Sequence, residues 1–85
     1  MYKLEYTSEA RSQILALNKK IRLQIKNALE RLAAKPDLGK RLTGELDVFW
    51  SYRSGDYRII YQTRHKELLV LIIAVGNRKD IYRRL

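Results

Sequence analysis

The sequence predicts an α+β domain of order β-α-α-β-β-β, with two N-terminal helices packed on one face of a small, largely antiparallel sheet. Three observations carry this prediction. In the first half, Ile21, Ile25, Ala28, Leu29 and Leu32 recur with a helical period. From Asp47 onward the apolar period changes to two. A continuous run rich in Val and Ile, Leu68 to Val75, then closes the pattern. Helical and strand patterns confined to separate halves of one chain give α+β architecture.

Each element has its own signal. Tyr2 to Tyr6 alternates and is bounded by Thr7-Ser8, which reads as a short strand. Thr7 or Ser8 caps a first helix, with Glu9 favourable in its first turn, running to about Leu17. Asn18 breaks that helix and caps the next. Lys19, Lys20, Arg22, Lys26 and Arg31 lie largely off the apolar stripe of the second helix. Lys35-Pro36 ends it, because a residue before proline is pushed out of the helical region. Pro36 to Gly44 reads as a loop carrying two cations, Lys40 and Arg41.

Phe49 to Arg53 and Asp56 to Gln62 flank Ser54-Gly55, the signal of a two-residue hairpin turn. That register opposes Arg53 to Asp56, Tyr52 to Tyr57, Ser51 to Arg58 and Trp50 to Ile59. Side chains alternate across a sheet. Trp50, Tyr52, Tyr57, Ile59 and Tyr61 therefore face the helices. Phe49, Ser51, Arg53, Asp56, Arg58 and Ile60 form an open face. Leu68 to Val75 reads as a central or near-central strand covered on both faces. After Gly76 the tail forms one helical turn with Arg78, Lys79, Asp80 and Tyr82; the four-residue spacing puts Arg78 and Tyr82 on one side.

With 85 residues the chain makes one domain, 1–85. There is no cysteine, hence no disulfide framework and no cysteine-based metal site. No apolar signal core and no membrane-length apolar run occur, so the expected location is the cytoplasm, away from any membrane. The net charge is +9, from 18 basic and 9 acidic residues. Such a field suits nucleic acid, an acidic protein segment or an anionic surface.

The standard catalytic sets are missing. His65, the single histidine, reads as a solvated turn residue. The carboxylates are scattered, and no phosphate-binding glycine loop or nucleophile-histidine pair is present. No metal or cofactor is expected. What remains is a set of positioned cations. Arg53 has Asp56 as a cross-strand partner, whereas Arg58 has only Ser51 opposite. A basic site of this kind can still cleave RNA, because the substrate supplies its own 2′-hydroxyl nucleophile. The protein then contributes orientation and charge stabilisation, and arginine forks fit a phosphate bidentately.

The element order, the Leu42-Thr43-Gly44 loop, the strand Gly55-Asp56-Tyr57-Arg58-Ile59-Ile60-Tyr61 and the ending Val75-Gly76-Asn77-Arg78-Lys79-Asp80-Ile81-Tyr82-Arg83 resemble the RelE branch of the RelE/ParE toxin superfamily over essentially the whole chain. The resemblance implies a type II toxin that enters the ribosome, cuts mRNA without a metal and leaves a 2′,3′-cyclic phosphate. It also implies a cognate antitoxin, with the free toxin a monomer that forms a hetero-oligomer on neutralisation. By the same resemblance Arg58 contacts the scissile phosphate. Arg78 stabilises the transition state or protonates the leaving group, Tyr82 orients the nucleophile or substrate, and Arg53 is a basic position before the turn. Lys40, Arg41, Ser51, Lys79 and Arg83 are the accompanying RNA contacts. The sequence departs from the family at Phe49 and Ser51, where the best-studied member has lysines, and at Asn77, so the proton acceptor is left open. Two alternatives stand beside this reading: a ParE-like toxin that inhibits gyrase, and an RNA- or ribosome-binding module without catalysis.

Overall fold

The structure, a computed structural model, describes residues 1–46, 48–77 and 79–81. Strand β1 (Lys3–Tyr6) leads into helices α1 (Ser8–Leu15) and α2 (Lys19–Ala34). Strands β2 (Lys40–Arg41), β3 (Trp50–Ser54), β4 (Tyr57–Arg64) and β5 (Leu69–Asn77) follow. They form one five-stranded sheet in the order β1-β5-β4-β3-β2. Only β1 and β5 run parallel; the other pairs are antiparallel. The α+β class and the two-helix face are as the sequence predicts. The region read as a loop contains β2, a two-residue edge strand too short to show a periodicity of its own.

The helix boundaries follow from their caps. The Thr7 hydroxyl accepts from the Ala10 N–H at 3.0 Å and donates to the Ile73 carbonyl at 2.8 Å. It therefore starts α1 and ties that start to β5. The Asn18 side chain accepts from the Ile21 N–H at 2.9 Å and starts α2. α1 ends at Leu15, two residues earlier than the pattern suggests. Arg22 of α2 donates to the carbonyls of Leu15 and Leu17 at 3.0 and 2.9 Å, satisfying the acceptors a helix end leaves open. α2 stops before Lys35-Pro36, as expected.

The main core lies between the helices and the sheet. Ala10, Ile25, Ala28 and Leu32 meet Ile59, Tyr61, Val70 and Ile72, all fully buried. A bulge between Ile60 and Tyr61 pairs them with Ala74 and Ile72 and leaves Ile73 without an opposite residue. The extra residue shifts the alternation, so Val75 joins Val70 and Ile72 on the helix side.

The hairpin register differs from the expected one. Gly55 and Asp56, not Ser54 and Gly55, form the turn, and Ser54 pairs with Tyr57. Gly55 has φ of 62° and takes the first central position, where a type II′ turn places its glycine. Ser54 is held in the strand by Gln24 of α2, whose amide donates to the Ser54 carbonyl at 2.8 Å. Arg53 therefore stands opposite Arg58, Tyr52 opposite Ile59, Ser51 opposite Ile60 and Trp50 opposite Tyr61. The Arg53–Asp56 pair does not form. The slide is two residues, and because the side-chain period is also two, the residues that remain in the strands keep their expected faces, while Asp56 moves into the turn.

The outer face is less open than its composition suggests. Ile60, Ala74 and Ile81 form a second small buried cluster there, with Phe49 and Ile73 packed against it. Ser51 is buried as well. β5 lies one strand in from the edge, but Leu69, Leu71 and Ile73 are only half-buried, so it is not fully covered on its second face.

Candidate functional site

The outer face of β3 and β4 carries two arginines at directly paired backbone positions, Arg53 and Arg58. Like charges directly opposite one another destabilise a sheet, whereas opposite charges stabilise it by ~0.2–1 kcal/mol. Arg53 is exposed, and its Nε donates to the Gly55 carbonyl at 3.0 Å, so its own turn orients it. Arg58 is half-buried, and its Nη1 donates to the Ser51 hydroxyl at 3.2 Å. Ser51, only 4% exposed, lies beneath the cations rather than among them.

Edge strand β2 adds the third charge. Lys40 pairs with Ser51, which brings the lysine to the arginine-bearing face. The strand is held there from the core. The buried Tyr61 hydroxyl donates to the Pro36 carbonyl at 2.7 Å and accepts from the Gly39 N–H at 3.0 Å. Gly39 is required for this approach, since a Cβ there would collide with the Tyr61 hydroxyl and lie 2.8 Å from the Ser51 carbonyl oxygen. Burial pushes the Tyr61 phenol up to about 12; the Asp37 and Tyr52 charges act in the same direction and the Gly39 hydrogen bond opposes them. The phenol is thus a fixed structural donor at neutral pH, not a proton carrier.

Lys40, Ser51, Arg53 and Arg58, with Leu38, Gly39 and Tyr52, enclose a groove of about 360 Å³. Among the described residues, no carboxylate lines it. The ion pairs among the described residues, Lys3–Glu5 and Arg64–Glu67, involve none of its cations. A shallow groove with two arginine forks and an ammonium favours an oxyanion with several acceptor atoms, such as a phosphodiester. It can bind, orient and neutralise that group. No imidazole lines the groove either, so its described residues supply charge rather than an ordinary proton acceptor.

The C-terminal turn returns to this same face. Gly76 lies across from Arg58 on β5, and a Cβ on it would sit 3.1 Å from Ile81 Cδ1. Ile81, 1% exposed, docks on Ile60 and Ala74. The Asn77 side chain accepts from the Lys79 N–H, and its carbonyl from the Asp80 N–H, both at 3.0 Å, which turns the chain back. The sequence reading missed this anchor. Its signal was the lone isoleucine in a polar tail, five residues after a strand glycine.

A family model described as the ParE toxin of the type II toxin-antitoxin system parDE matches residues 4–82. The chain belongs to the RelE/ParE toxin superfamily. Toxin RelG of Mycobacterium tuberculosis is 34% identical over 85 residues, covering 98% of each chain. Among solved structures, the RelBE2 toxin-antitoxin complex of the same organism superposes with a TM-score of 0.84 at 31% identity over 93% of both chains. The isolated RelE toxin of Escherichia coli gives 0.79 at 25% identity, over 91% of this chain and 84% of that one.

In this RelE/ParE-type toxin the structure brings together four of the expected site residues: Lys40, Ser51, Arg53 and Arg58. Arg41 pairs with Trp50 and so falls on the opposite face of the sheet. Lys79 is exposed in the turn after β5. Arg78, Tyr82 and Arg83 lie outside the described residues. His65 stands exposed in a short turn away from the groove, its Nδ1 2.6 Å from the Tyr2 hydroxyl. Among the described residues, no group of three or more His, Cys, Asp or Glu is placed to hold a metal, and no helix is long and apolar enough to cross a membrane.

Proposed function

We propose that this toxin is a ribosome-dependent mRNA endoribonuclease that stops translation. The pairing of Arg53 with Arg58, with no carboxylate beside them among the described residues, carries the reading. A structural cross-strand pair would carry opposite charges, and an anion bound beside these two arginines would relieve their like-charge pairing. In the proposed reaction the substrate 2′-oxygen attacks phosphorus. The P–O5′ bond breaks, leaving a 2′,3′-cyclic phosphate and a 5′-hydroxyl. Arg58 holds the scissile phosphate and Arg53 shares its growing charge. Lys40 neutralises a neighbouring phosphate. By the family resemblance, Arg78 serves the leaving oxygen and Tyr82 orients the nucleophile. The Ser51 hydroxyl aims Arg58. No metal takes part.

The same reading places the toxin in the cytoplasm, monomeric when free and bound to an acidic antitoxin when neutralised. The known complexes of its structural relatives support that partner. The test is incubation of purified toxin with mRNA-programmed ribosomes in the magnesium buffer that keeps them assembled, followed by mapping of the cut ends. Cleavage within the A-site codon with a cyclic phosphate end is expected; intact mRNA would sink the proposal. The matching family model favours one second reading, a ParE-like inhibitor of gyrase. Gyrase-dependent DNA breaks with translation unaffected would establish it, and RNA binding without cleavage would leave a non-catalytic module.

A further inference from the structure

We propose that the sheet carries a second RNA subsite, a groove beside Trp50 that receives one nucleotide of the strand whose phosphates bind at Arg53 and Arg58. It deepens the reading of the chain as an RNA-directed toxin and rests on it. The observation that opens it is the division of labour in β2. Lys40 pairs with Ser51 and Arg41 with Trp50. Successive strand residues point to opposite faces, so one dipeptide sends a cation to each side of the sheet edge. A strand of RNA crossing that edge meets Lys40 on one side and Arg41 on the other.

On the Arg41 side lies a groove of about 420 Å³, lined by Arg41, Trp50, Gln62, Thr63, Arg64 and His65 among others. Its size falls within the range of small-molecule sites. None of its lining residues among those described is acidic. The groove exists because β4 outruns its neighbour: β3 pairing begins at Trp50 with Tyr61, and β4 continues to Arg64. Among the described residues, no strand covers 62–64 on that side.

The chemistry matches a nucleotide. The Trp50 indole is held by stacking on Tyr61, with ring centroids 6.1 Å apart and planes at 27°. An ordered indole offers a stacking partner for a base, and such stacking is indifferent to sequence. The Gln62 amide and Thr63 hydroxyl offer donors and acceptors to a base edge. His65 is held by Tyr2 at 2.6 Å and lies 3.4 Å from the Thr63 hydroxyl. Arg64 is half-exposed, and its 3.9 Å contact to Glu67 is the kind of surface pair worth little. A phosphate can take its place.

Trp50 is the only tryptophan, so its emission reports this groove and not the arginine groove on the other face. The experiment titrates the full chain with an uncleavable 2′-O-methyl RNA of about nine nucleotides. It follows the anisotropy of a label on the RNA and the emission of Trp50, over a range of salt. Wild type, Arg58→Ala and Arg64→Ala are compared, and circular dichroism checks that each is folded. The expected result is binding with quenching of Trp50, and loss in Arg64→Ala of the quenching together with about one unit of salt slope. Salt-dependent binding that needs Arg58 but leaves Trp50 emission unchanged, with Arg64→Ala equal to wild type, overturns the subsite alone. No binding by wild type even at low salt overturns the subsite and the RNA-directed reading together.

Discussion

On the helix side of the sheet Tyr61 brings a hydroxyl into the core, and Pro36 and Gly39 meet it with an acceptor and a donor. On the outer side the same strands pair Arg53 with Arg58, and among the described residues no carboxylate lines their groove. The two faces of β4 alternate residue by residue, so the difference is not a matter of location or strand quality. One face minimises its own free energy. The other holds a local electrostatic conflict that a ligand can relieve. Among the described residues no buried side-chain nitrogen or oxygen lacks a partner, which makes the opposed arginines more telling. Folded proteins keep local violations mainly where function requires them.

The contrast predicts that substitutions on the two faces separate stability from activity. The largest stability effect belongs to the helix face. Leu32→Ala, at a fully buried position, should cost about 2–5 kcal/mol in urea unfolding, with the cleavage rate per folded molecule unchanged. On the outer face Arg58→Ala should lower cleavage by roughly 10²–10³-fold, about 2.7–4 kcal/mol of transition-state stabilisation. Its melting temperature should hold or rise slightly, because the like-charge opposition is gone. A melting temperature that falls in step with activity would erase the distinction between the faces.

Tyr61→Phe probes the link between them. Removing the hydroxyl leaves the Pro36 carbonyl and the Gly39 N–H without their partner and should cost about 1–3 kcal/mol. The pH dependence has a definite sign. The folded phenol titrates at about 12 against 10.0 ordinarily, so the folded state keeps its proton longer. The stabilisation is whole below the unfolded value and is lost as pH rises through the folded one. Wild-type stability should fall between those two values, and that part of the decline should vanish in Tyr61→Phe. The smallest effect is the most pointed. Arg53→Glu creates the opposite-charge pair that the register would normally favour, and should raise stability by about 0.2–1 kcal/mol while abolishing cleavage. A loss of stability in that variant would mean that the two arginines do not repel one another in the free protein.

Much of this arrangement is legible from the chain. Thr7 and Asn18 announce the helix starts because a cap acts on the next three residues. The separation of Trp50, Tyr52 and Tyr57 from Arg53 and Arg58 follows from the strand period alone. It survives the register change because a slide of two residues leaves these side chains on their sides. The partner of Arg53 did not survive it. Whether Gly55 takes the first or second place in the turn depends on Gln24, which holds Ser54 from a different element. β2 was invisible for the same reason: its position is set by Tyr61, far along the chain, and by the missing Cβ of Gly39. The Ile81 anchor likewise depends on Gly76 and on Ile60 of another strand.

By itself, then, the sequence determined the elements, their caps, the two-sided character of the hairpin and the cations that mark its outer face, because each is set by interactions within a few residues. Only the tertiary structure decided that Arg53 faces Arg58, that Lys40 joins them while Arg41 is sent to the other side, and that Ser51 lies beneath the groove. Those facts are relations between strands, fixed by hydrogen bonds and close packing between residues up to tens of positions apart, and no local pattern encodes them.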